Sequence, residues 1–214
     1  MIEHILKFPV EAAATASTIF PLAVMIYRLD YKKSIEKYFT LYLVSKLVIE
    51  FVMLYMASQV HNNLFLYNAF ILISYCILAR MCYEAIDIDK HRQIVFVGSF
   101  VFLFIYGIDV IDTGMERVLR IAPTLQCLLM LVYIMLWFYG LLKSLKVQNL
   151  LTYPVFWIFS GLLIYYSSST FCTPIYHYVE QFGAPKDMYL IILVPYVAET
   201  VSLFMVGLGF LVEE

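Results

Sequence analysis

The sequence predicts an all-α, polytopic membrane protein: one bundle of seven transmembrane helices occupying residues 1–214. Three observations carry this. Hydrophobic residues make up 63% of the chain and charged residues 14%, where about a quarter of a soluble domain is charged. The mean hydropathy is +0.85. The apolar residues gather into runs near the length of about 20 that a helix needs to cross a bilayer, and the polar breaks between them are too short for a separate domain.

The first run, 9–28, contains an Ala-rich patch that imitates a signal-peptide cleavage site. Glu11 sits within it and the apolar stretch continues to Tyr27, so it reads as a retained helix. Its small residues Ala12, Ala13, Ala16 and Ser17 suit a tight helix–helix contact. The second run, 38–60, holds LVSKLVIEFVMLY and therefore Lys46 and Glu50; the third, 64–85, repeats a cation–carboxylate pair as Arg80 and Glu84 near its end, where Arg80 snorkels to water. IDIDKHRQ and DTGMER bound the fourth and fifth runs, 93–111 and 121–142. The sixth, 154–179, includes YYSSSTFCTP. Ser167, Ser168, Ser169 and Thr170 are expected to bond carbonyls one turn back and, with Pro174, to bend the helix. The seventh, 187–211, carries Glu199 four residues after Pro195, and the sequence stops soon after it, at LVEE, so no effector domain is expected.

Orientation follows from Lys and Arg. Arg28, Lys32, Lys33, Lys37, Lys90, Arg92, Lys143 and Lys146 fall in the odd-numbered breaks, against Lys7, Arg117, Arg120 and Lys186 at the N-terminus and in the even ones. The bias puts the N-terminus outside and the C-terminus in the cytoplasm. No basic tract exceeds Lys32-Lys33, which excludes nucleic acid as a partner. Cys76, Cys82, Cys127 and Cys172 lie in apolar runs without CxxC spacing, so neither a disulfide framework nor a metal site is indicated, and no cofactor is expected.

Lys46 and Glu50 share a helix face. At a rise of about 1.5 Å per residue, Lys46 lies roughly 12 Å into the membrane and Glu50 near its midplane. Glu199 reaches a similar depth. Charges there cost on the order of 3 kcal/mol or more each and persist where they pair or line a polar cavity. Two readings stand: a structural ion cluster fixing the second and seventh spans, or a centre in which one glutamate changes protonation during a functional cycle. Toward the outer face lie His4, His61, His177, Asn68, Asp109 and Asp112. They offer a ligand vestibule. Without HxxxH or HExxH spacing they make a poor metal site.

A retinal protein is excluded because the seventh run has no lysine. The stretches NNLFLYNAFILISY (62–75) and FWIFSGLLIYYSSSTF (156–171) resemble motifs of small, largely uncharacterised seven-helix membrane proteins of the Bacteroidetes lineage, some akin to membrane input modules of sensor histidine kinases. That group carries a histidine and a glutamate where this chain has Asn68 and Ser74, so no site transfers. The resemblance implies a multi-pass protein of the bacterial inner membrane with a sensing or accessory role. The expectation is a non-enzymatic module that binds a small ligand or a partner signalling protein, membrane-bound or cytoplasmic, and relays it by helix rearrangement. A homo-oligomer is compatible with this. Its rivals are a proton-coupled secondary transporter and, less favoured, an intramembrane metal-dependent hydrolase built on the outer histidines and aspartates.

Overall fold

The computed structural model describes residues 9–28, 34–59, 62–144, 149–182 and 185–211. Every regular element among them is a helix: α1 (Pro9–Ser17), α2 (Ile19–Arg28), α3 (Ser34–Ser58), α4 (Leu64–Ala85), α5 (Asp89–Thr113), α6 (Ala122–Ser144), α7 (Pro154–Phe182) and α8 (Pro185–Leu211). Six of them, α3 to α8, are long and apolar enough to cross a bilayer. The chain is a multi-pass membrane bundle.

The third predicted span coincides with α4, and the spans at 38–60, 93–111 and 187–211 start later than the helices they correspond to. Hydropathy marks where lipid ends, whereas the backbone ladder runs on into polar residues such as Ser34–Glu36 and Asp89–His91. The first span is different. It divides into α1 and α2 at Thr18, because Pro21 offers no N–H to the Ser17 carbonyl and its ring crowds that position. The Thr18 N–H turns instead to Thr15, at 3.2 Å, and the Ser17 hydroxyl bonds the Ala14 carbonyl at 2.7 Å.

Packing closes a ring. α2 lies on α3, α3 on α4, α4 on α6, α6 on α7, α7 on α8, and α8 on both α1 and α2. α5 stands outside it, resting on α4 and α6. Much of its surface is left to lipid: Phe96, Phe100 and Phe104 are all exposed. α7 and α8 approach closely at Gly161, where a Cβ would lie 2.8 Å from the Val206 side chain and 3.0 Å from the Ser202 carbonyl, and again at Gly209, where it would meet Trp157.

The two halves of the ring differ. On the side of the α4–α5 and α6–α7 connections the core is largely filled, by Phe39, Leu43, Leu78, Met81, Ile158, Val206 and Phe210, with Trp137 and Phe159 stacked at 4.1 Å, and leaves a smaller space of about 190 Å³ beside the α4–α5 connection. The other half is hollow.

Candidate functional site

The hollow is a cavity of about 450 Å³. On α3 it is lined by residues 42, 46, 49, 50, 53, 54 and 57, a spacing of three and four that keeps one helical face on it for about four turns. α4 contributes residues from Asn63 to Ser74, α6 Pro123, Gln126 and Cys127, α7 residues from Tyr165 to Tyr176, and α8 Ile191, Pro195, Tyr196 and Glu199. Most of these belong to the halves of their helices next to the α3–α4, α5–α6 and α7–α8 connections, and Tyr42, Lys46, Tyr165, Tyr166 and Glu199 stand near the helix midpoints. α5 lines none of it.

Lys46 forms the floor. It is twelve residues from either end of α3 and 2% exposed. Its Nζ contacts Glu50 on the next turn and lies 3.1 Å from Glu199 Oε1. Glu199, close to the middle of α8, is buried as well. α3 and α8 are not packed along one another, so the lysine side chain spans the gap between them. Pro195, one turn before Glu199, has no N–H for the Ile191 carbonyl, and both residues face the cavity.

A neutral polar shelf completes the floor. Gln126 Nε2 donates to Ser74 Oγ at 3.0 Å, joining α6 to α4. Tyr166 of α7 is paired with Gln126, and Tyr42 and Tyr165 lie within electrostatic reach of Glu199. Two buried polar atoms on the cavity lining have no partner among the described residues: Glu50 Oε2 and Ser169 Oγ. The expected back-bonding of the α7 hydroxyls holds for its neighbours, since Ser168 bonds Tyr165 O, Thr170 bonds Tyr166 O and Thr173 bonds Ser169 O. Ser169 departs from it.

The outer residues do other work. Asn68 is fully buried and its amide donates to the carbonyls of Met115 and Arg117 at 2.9 and 2.7 Å. Asp109 is also buried; its carboxylate accepts from the N–H groups of Ile121 and Ala122, both at 2.8 Å, and from Arg120 at 3.3 Å. It therefore caps α6 from another helix, satisfying donors that a helix start leaves unpaired. Together the two pin the segment 114–121, which begins where Gly114, at φ 82°, closes α5 in a conformation that side chains avoid. Asp112 is exposed. His4 and His61 lie outside the described residues, as does the side chain of His177. Among the described residues no three His, Cys, Asp or Glu side chains gather as metal ligands.

Sequence reasoning singled out Lys46, Glu50 and Glu199 and missed Tyr42, Ser74, Gln126 and Tyr166. A lone glutamine inside the apolar IAPTLQCLLML was the available signal. Scanned against protein-family models, curated proteins and solved structures, the chain matches none. Its chemistry is read from the cavity itself.

Proposed function

We propose that the protein is a non-enzymatic, receptor-like module of the bacterial inner membrane, which admits a small ligand to this cavity and relays its presence by moving α3 against α8. The observation that carries the proposal is a one-sided cavity ending on a lysine shared between two helices that do not otherwise pack together. A ligand that engages Glu50 or Glu199 competes for Lys46 and weakens the tie between α3 and α8. It shifts the balance between two helix arrangements by as much as its affinity for them differs.

In the orientation given by Lys and Arg, with the N-terminus outside and the C-terminus in the cytoplasm, the cavity faces the exterior. Lys90, Arg92 and Lys143 then lie at the more filled, cytoplasmic end, where a signalling partner or a second copy of the chain would receive the movement. The likeness of 62–75 and 156–171 to sensor input modules points the same way. The rival is a carrier in which the paired glutamates couple a proton to solute passage, which requires the cavity to open alternately to both sides.

Cys172 lines the cavity and serves as the probe. Sealed vesicles of either orientation are treated with membrane-impermeant methanethiosulfonates and modification of Cys172 is read by mass spectrometry. Labelling from the exterior side alone is expected. Equal labelling from both sides supports the carrier, and none from either side removes the ligand pocket.

A further inference from the structure

The cavity is selective in its charge. Lys46, Glu50 and Glu199 are the only fully charged side chains on its described lining, and when all three are ionised they leave one negative charge in excess. That excess sits where water is scarce and where an uncompensated charge is costly. An anion would meet no spare positive group on the described lining, because Lys46 already serves two carboxylates. A bare divalent cation needs six or more oxygen ligands, and no cluster of metal-ligating side chains stands among the described residues.

The remaining lining fits an organic cation. Six tyrosines face the cavity: Tyr42, Tyr67, Tyr165, Tyr166, Tyr176 and Tyr196. Aromatic faces attract ammonium groups, more strongly once both are desolvated. Glu50 Oε2 and Ser169 Oγ supply buried acceptors without a partner among the described residues, and Ser169 is only 5% exposed. An ammonium carries up to three donors and no acceptor, the complement of that pair. The volume of about 450 Å³ falls within the range of small-molecule pockets.

We infer that the ligand is a small organic cation, an aliphatic or aromatic amine in its protonated form, with its ammonium against Glu50, Glu199 and Ser169 and its carbon skeleton among the tyrosine rings. This rests on reading the cavity as a ligand pocket, and the test separates the two. Cys172 stands one turn beyond Ser169 on α7, on the cavity lining. Its modification by a trimethylammonium-bearing methanethiosulfonate is compared with that by a sulfonate-bearing one of similar size, each rate normalised to free cysteine. The cationic reagent is expected to be favoured on the order of tenfold, and Glu50→Gln to bring the ratio near parity. Butylammonium chloride should slow the labelling, while butanol and sodium butyrate at the same concentration should not.

Ser169→Ala leaves the ion cluster intact and should weaken protection by butylammonium, which keeps the inference testable if Glu50→Gln does not fold. Normalised rates that are equal for the two reagents, or protection by butanol that matches butylammonium, overturn the cationic ligand and leave the pocket standing. Failure of both reagents to reach Cys172 overturns the pocket itself.

Discussion

Lys46–Glu50 on α3 and Arg80–Glu84 on α4 are written identically in the sequence, a cation followed four residues later by glutamate, and each makes its contact. Their surroundings share nothing. Arg80 is 53% exposed at the end of a span and adds a long contact to the Tyr38 hydroxyl, 3.4 Å away. Lys46 is sealed at the centre of its helix and takes a second carboxylate from α8. In both pairs the glutamate follows the cation, the order that stabilises an isolated helix less. Neither pair is therefore explained by helix formation. The spacing makes the contact, and burial gives it meaning: the Arg80 pair is exposed at a helix end, while the Lys46 pair joins two helices across a cavity.

The comparison is broken most directly at Lys46. Lys46→Met strands the buried carboxylate of Glu199 and the partly buried one of Glu50 and is expected to cost about 3–5 kcal/mol, measured by reversible unfolding in bicelles. A loss under about 1 kcal/mol would place the cluster in bulk water and end the contrast. Replacing all three charges together, as Lys46→Met with Glu50→Gln and Glu199→Gln, should restore most of that loss, since apolar or neutral groups of similar volume often replace buried ions without penalty. The same triple variant should lose the charge preference at Cys172.

A smaller effect sharpens the contrast between charge and packing. Gly161→Ala would force a methyl group onto the Ser202 backbone and Val206, and should destabilise by about 1–3 kcal/mol through overpacking. If it is neutral in the same assay, the α7–α8 seam is looser than its contacts. Asp109→Ala removes the cap of α6 and should cost about 1–2 kcal/mol, with faster amide exchange at 120–122; unchanged exchange there would argue against the cap. The least effect belongs to the exposed pair. Arg80→Met should change stability by less than about 1 kcal/mol, as exposed ion pairs do, and a double-mutant cycle should give Lys46 and Glu199 a coupling several times that of Arg80 and Glu84.

Most of the helices were legible because lipid leaves the backbone no partner outside itself, so any run long enough to cross must be helical throughout. That rule located α4 to the residue and α3, α5, α6, α7 and α8 within a few. The break in the first span was also written in the chain, as Pro21, and passed unread beneath its hydropathy. The i, i+4 contact of Lys46 with Glu50 was equally local. What the sequence could not hold was which faces meet. Glu199 became a partner of Lys46 only because α8 comes round to close the ring; Asn68 and Asp109, polar residues that read as a vestibule, were drawn into holding the 114–121 segment.

Ser169 and Thr170 are adjacent hydroxyls of one helix, yet one turns to its own backbone and the other lines the cavity unpaired. Secondary structure here is set by the solvent, and composition reports the solvent faithfully. Whether half of the bundle is solid or hollow depends on contacts between distant segments whose apolar faces are chemically alike. Only their three-dimensional fit distinguishes them.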